Sequence, residues 1–119
     1  MAKGNPVTWF EILGKDGAKT QKFYSDLFGW AVDANNPMSY GMIQGADGGI
    51  GGGLAASQDG KPSLTVYVDV DDLAATLEKA KGLGAEVVMP PMDVPGGPSI
   101  AQFKDPDGNV VGIMKPAAM

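Results

Sequence analysis

Two halves of this chain carry the same pattern in the same order, about 55 residues apart, and that echo constrains the fold more than any other feature. Each half opens with an extended apolar run (Val7–Ile12; Leu64–Val70) and passes an acidic cap (Asp16; Asp71 or Asp72) into a helix. Each leaves the helix through a glycine flanked by apolar residues, Phe28-Gly29-Trp30 in the first half and Leu83-Gly84-Ala85 in the second. A unit of this size buries a sheet face only against another layer, and its twin is the nearest candidate.

Val7–Ile12 is rich in β-branched and aromatic residues and ends at Gly14, Asp16 and Gly17, so it reads as a strand. From Ala18 to Phe28, Phe23 with Leu27 and Tyr24 with Phe28 are spaced i,i+4, which predicts a helix with a broad apolar face against a sheet and a stop at Gly29. Trp30–Val32, Ser39–Gln44 and Ile50–Ala55 are expected to complete the first unit, with turns at Asp33–Pro37 and Gly45–Gly49.

The run Gly48-Gly49-Ile50-Gly51-Gly52-Gly53 lacks a Gly-Lys-Ser/Thr ending and a following helix, so it is no phosphate loop. Close backbone approach or an open cavity wall is the better reading. A polar segment, Gln58–Ser63, joins the halves.

In the second half, Leu64–Val70 alternates, with Thr65, Tyr67 and Asp69 on one side and Leu64, Val66, Val68 and Val70 on the other. Asp71–Ala80 is the clearest helix, its buried stripe being Leu73, Leu77 and Ala80. Ala85–Met89 reads as a strand. The segment Pro90–Pro98 holds Pro90, Pro91, Pro95 and Pro98, which bars a central strand and fits a lid or a stiff edge connection. Ser99–Lys104 and Asn109–Met114 form a hairpin around Asp105-Pro106-Asp107-Gly108.

The chain of 119 residues suits one domain, residues 1–119, with modules at about 6–57 and 64–115 and a linker at 58–63. The formal net charge of −5 disfavours nucleic acid and anionic membrane partners. Cysteine and histidine are both absent, which removes thiolate nucleophiles, hydrolytic triads and zinc–sulfur sites. The opening Met-Ala-Lys-Gly-Asn-Pro lacks a signal-peptide core, and no apolar run is long enough to span a membrane, so a cytoplasmic location is expected.

This order of elements, with Phe23-Tyr24, Leu27-Phe28-Gly29, Leu83-Gly84-Ala85 and Phe103-Lys104-Asp105-Pro106-Asp107-Gly108-Asn109, resembles the vicinal oxygen chelate superfamily over about residues 6–115. That superfamily includes glyoxalase I, bleomycin resistance proteins, fosfomycin-modifying enzymes and extradiol dioxygenases. The resemblance implies an α+β fold of two βαβββ modules whose curved mixed sheets form a cup-shaped cavity. In metal-dependent members, His and Glu residues on the first and last strands of each half hold a divalent ion. The corresponding positions here are Trp9, Gly52, Leu64 or Thr65, and Gly112, none of them a ligand. No cofactor and no metal ligand is therefore assigned, and an oxygen-only site for Mg²⁺ or Ca²⁺ is the remaining metal chemistry.

The residues expected to line the cavity are Trp9, Glu11, Tyr40, Met42, Thr65, Tyr67, Met92 and Gln102, set against the alternatives that Trp9 and Tyr67 fill a core and that Gln44 and Gln102 are exposed. Met38, Met42, Met89 and Met114 read as core fillers. Glu11 is the candidate catalytic base, since burial beside Trp9 raises its pKa. The leading function is a metal-free binder of a small molecule, cationic or aromatic. The alternatives are a lyase, isomerase or dioxygenase using Glu11 or an oxygen-only metal site, and a noncatalytic homodimeric interaction module.

Overall fold

Thr8, Phe10 and Ile12 alternate with Trp9 and Glu11 in a run of high strand propensity, and β1 forms over Val7–Gly14. The chain then turns at Asp16, whose side chain accepts from the Lys19 amide and caps α1, Gly17–Phe28; Gly29, in the left-handed region at φ 73°, ends it. The computed structural model describes residues 4–45, 48–94 and 97–116, and its contacts divide the chain into two compact units. One comprises residues 8–65; the other runs from Val66 onward and includes the segment before Thr8.

In the first unit, β2 (Gly41–Ile43) pairs antiparallel with β3 (Gly51–Ala56), and β3 pairs parallel with β1, in the order β2-β3-β1. The cross-strand rows Ile43–Gly52–Phe10 and Gly41–Leu54–Ile12 lie on the side of α1, with Ile43 buried and Leu54 fully so. Gln21 on α1 pins the helix there, donating to the carbonyls of Ser39 and Leu54 at 2.9 Å each.

The apolar face expected on α1 is only partly used. Tyr24 is half-buried and stacks on Trp30, whereas Phe23, Leu27 and Phe28 are 59%, 58% and 56% exposed. Polar anchors on Gln21 and Ser25, the latter donating to the Trp30 carbonyl, set the rotation of the helix. Trp30–Val32 forms no strand, because Trp30 packs against Phe10, Tyr24 and Phe28; the chain bridges to Met42 only at Asp33. The first unit is thus βαββ plus one bridge. Met38 and Met42 are exposed rather than in the core, as Met38 sits in the turn before a three-residue edge strand and Met42 points away from buried Gly41 and Ile43.

Strand β4 (Ser63–Asp69) begins in the first unit and enters the second at Val66; the second continues with α2 (Leu73–Gly82), β5 (Glu86–Asp93), β6 (Ser99–Lys104) and β7 (Val110–Lys115), in the order β4-β7-β6-β5. Here β4 and β7 are parallel and the other pairs antiparallel. Asp72 caps α2, and Leu73 and Leu77 pack with Val70, Ala101 and Ile113 into the core, flanked by Val68, Val87 and Phe103. Leu64 and Val66, expected on this apolar side, are exposed because the cluster under α2 reaches only Val68 and Val70.

The proline segment behaves differently from a separate loop. Strand β5 extends through Pro90 and Pro91 to Asp93, which an edge strand with register shifts on both sides of Met89 tolerates. Ala46, Asp47, Pro95 and Gly96, which belong to the expected Gly45–Gly49 turn and to the lid, lie outside the described residues, as does the start of the N-terminal segment.

The cup-shaped cavity is not formed, and the sheets neither curl nor close. The strand orders stop at β2 in one unit and at β5 in the other. Closure needs a continuous ladder along both edges. Three-residue β2 offers too short a ladder, and β5 lacks amide donors at Pro90 and Pro91. Among the described residues no helix is long and apolar enough to cross a membrane.

Candidate functional site

Strand alternation sends Trp9 and Glu11 to the side of the first unit's sheet that faces away from α1. Their register partners on β3 are Gly51 and Gly53, so the neighbouring strand presents bare backbone beside both. A Cβ on Gly51 would come 2.9 Å from Cζ3 of the Trp9 ring, and one on Gly53 would collide with the Tyr40 ring and hydroxyl. The same device operates on the helix side, where the Phe10 ring fills the space a side chain at Gly52 would need. Glycine in β3 is therefore a steric requirement, and the rings of β1 and Tyr40 supply the side-chain mass that this strand lacks.

Tyr40 reaches over this floor from the turn before β2. The Trp9 Nε1 donates to the Tyr40 hydroxyl at 3.1 Å, and that hydroxyl donates to Glu11 Oε2 at 3.0 Å. Burial pushes the Glu11 carboxyl above the usual carboxylate range, and the bond from Tyr40 partly offsets this by favouring the charged form. Met42 stands in the row Met42–Gly53–Glu11, so it shares the face. Trp9, Glu11, Tyr40 and Met42 are brought together on one helix-free surface.

The other predicted residues lie on β4, β5 and β6, where only Tyr67 and Gln102 meet among the described contacts. Tyr67 is 3% exposed, its hydroxyl accepts from Gln102 Nε2 at 2.8 Å, and its ring covers Gly112, the register partner of both. Gln102 is half-buried with a partner, whereas Gln44 is exposed. Thr65 is buried on β4. Met92 pairs with Ile100 at the sheet edge and borders an open groove of about 460 Å³ beside the start of α2, with Asp93, Ser99 and Lys115. Sequence reasoning missed the filling of Gly52 by Phe10 and the two hydrogen bonds between the Asn36 side chain and the Tyr40 main chain. The first had a legible signal, a run of large side chains on one strand matched to a run of glycines on its neighbour.

Residues 7–113 match the sequence profile of the Glyoxalase/Bleomycin resistance protein/Dioxygenase superfamily. The chain belongs to this superfamily. An anthracycline biosynthesis protein of Streptomyces peucetius, DnrV, is 32% identical over 99% of this chain and 49% of its own length. The chain thus spans about half the length of that curated relative. A glyoxylase-like domain-containing protein of Didymella fabae is 30% identical over 90% of this chain and 91% of that protein. Among solved structures, the Mn(II)-bound glyoxalase of Novosphingobium aromaticivorans superposes with a TM-score of 0.68 at 18% identity, over 99% of this chain and 42% of that one, a likeness of fold.

The superfamily's divalent ion does not fit the residues at its expected positions. At Gly52 and Gly112 the rings of Phe10 and Tyr67 occupy the space where a ligating side chain would begin. Trp9 offers only an N–H donor, already given to Tyr40, and of the alternatives Leu64 and Thr65 the first is exposed and apolar and the second a single buried hydroxyl. Among the described residues no three His, Cys, Asp or Glu side chains come together. What this superfamily member offers instead is a half-buried carboxylate that accepts from the Tyr40 hydroxyl, to which Trp9 in turn donates.

Proposed function

We propose that this chain is a metal-free small-molecule-binding domain whose ligand lies against the Trp9–Tyr40–Glu11 face. The observation that carries this reading is the hydrogen-bonded chain from Trp9 through Tyr40 to Glu11 over a glycine floor. A flat ring system finds an indole face here, and a positive charge or N–H donor finds a carboxylate whose surroundings are poor in water. A planar aromatic cation combines both, and the net charge of −5 attracts it. The relative named for anthracycline biosynthesis accords with a polycyclic aromatic ligand.

The test is a fluorescence titration in a Trp30→Phe background, where Trp9 is the sole tryptophan. An aminoanthraquinone cation is expected to quench Trp9 saturably, with or without EDTA, and an anthraquinone sulfonate is not. Glu11→Gln removes a charge-assisted hydrogen bond of about 1.5–3 kcal/mol and weakens binding by about tenfold or more. Equal binding of cation and anion, or loss of binding in EDTA, refutes the reading.

A second reading, self-association, is favoured by α1, which buries none of its residues and exposes Phe23, Leu27 and Phe28 together. A solution mass twice that of the chain, falling to the monomer in Phe23→Ser/Leu27→Ser, supports it. A concentration-independent monomer overturns it.

A further inference from the structure

We propose that Asn36 is a positioning residue for this site: its side-chain amide clamps Tyr40 and so fixes the direction of the hydrogen-bond chain that ends on Glu11. The role rests on the Trp9–Tyr40–Glu11 face being the ligand site.

Tyr40 lies just before β2 rather than in it, and Asn36 binds its peptide groups. The Asn36 Oδ1 accepts from the Tyr40 amide at 2.9 Å, and the Nδ2 donates to the Tyr40 carbonyl at 2.7 Å. Both main-chain groups of a single residue are thus satisfied by a single side chain. A carboxylate cannot do this, because it has no donor, and an alkyl side chain offers neither group. The loop is shaped to deliver the clamp. Asn35 donates its amide to Asp33 Oδ1, Ser39 donates its amide to the Asn36 carbonyl, and Ser39 adopts φ 52°, a left-handed conformation that a non-glycine residue takes only at a cost.

The clamp has a directional consequence. The indole N–H of Trp9 can only donate, so it takes the acceptor side of the Tyr40 hydroxyl. The hydroxyl's one proton goes to Glu11 Oε2. Polarity therefore runs one way, from Trp9 to Tyr40 to Glu11, and Oε1 is the carboxylate oxygen that Tyr40 leaves to a ligand. An ionised Glu11 in this setting accepts, which selects a ligand that donates. Burial raises the proton affinity of Glu11 and the bond from the Tyr40 hydroxyl lowers it, so a displaced Tyr40 is felt there directly.

The experiment needs no ligand. In the Trp30→Phe background, the pH dependence of Trp9 fluorescence reads the titration of Glu11, and Glu11→Gln identifies that transition by abolishing it. Tyr40→Phe removes the bond that favours the charged carboxylate and is expected to shift the midpoint upward. Asn36→Ala is expected to shift it in the same direction, with Asn36→Ser giving a smaller shift should the alanine variant fail to fold. Added to Tyr40→Phe, neither Asn36 substitution shifts the midpoint further. An unmoved midpoint in both Asn36 variants, or a shift that adds to that of Tyr40→Phe, overturns the proposal. Because binding is measured separately, a failed titration with planar cations would refute the ligand reading while leaving the clamp's result legible.

Discussion

Gly112→Ala tests whether aromatic rings require the glycines beneath them. The methyl would begin inside the Tyr67 ring, which is 3% exposed and cannot swing into water without opening the sheet face. Displacing the ring breaks the 2.8 Å bond from Gln102, worth about 1 kcal/mol. Forcing a methyl into a packed site adds about 1–3 kcal/mol. Reduced freedom of the unfolded chain returns about 0.4–1 kcal/mol. The net loss is about 1–3 kcal/mol, a large share of a stability on the order of 5–15 kcal/mol. Urea denaturation measures it as a lower midpoint at unchanged slope; with a slope of about 2 kcal/mol per molar, the midpoint falls by about 0.5–1.5 M. Gly82→Ala is the control, since a Cβ there meets nothing within 4 Å and the position closes a helix, so that variant is neutral or more stable. In a Tyr67→Ala background, where the ring is gone, Gly112→Ala is expected to cost less than in the parent. A Gly112→Ala midpoint equal to the parent's, or an equal cost with and without the ring, refutes the reasoning.

Glu11→Gln keeps an oxygen for the Tyr40 hydroxyl and removes the charge. The folded-state pKa of Glu11 lies above its unfolded value of 4.5, so between those values the folded state holds more protons and stability falls as pH rises through that window. Thermal melts from pH 4 to 7 should show Glu11→Gln more stable than the parent at pH 7, with the difference closing towards pH 4; parallel pH profiles would contradict this. Asp72→Ala removes the oxygen that accepts from the Ala75 amide at 3.0 Å and is expected to cost about 1 kcal/mol, with Asp72→Asn nearly neutral, both read from urea midpoints. Loss of equal size in the two variants would show that the charge at the helix end, rather than the cap, is responsible.

The sequence made the elements legible where local physics decides them. Both helices start at acidic caps, Asp16 as expected and Asp72 of the two candidates Asp71 and Asp72, and the hairpin of β6 and β7 turns on Asp105, whose side chain accepts from the amides of Asp107 and Asn109. Where packing partners decide, the reading failed in particular ways. The i,i+4 pattern of Phe23 and Leu27 marks an amphipathic helix but does not say whether its apolar stripe is covered, and the hydrogen bonds of Gln21 and Ser25 rotated it outward. Trp30 has strand propensity, yet three ring contacts outweigh it. Pairing of Trp9 with Glu11 followed from period-two alternation. Tyr40 is expected on the same face, but the Asn36 hydrogen bonds to its main chain, made from a loop, are ones that no periodicity encodes.

Strand β3 has a consequence for how this face can change. Most binding surfaces are interlocked, so that enlarging one side chain demands a compensating reduction opposite. Here the row through Glu11 and Gly53, and the one through Trp9 and Gly51, meet backbone with no side chain to renegotiate. Exchanging Trp9 or Tyr40 for a smaller ring opens space directly above the peptide plane and disturbs no facing residue on β3. The proposed ligand face can therefore change its outline while β3 beneath it stays the same.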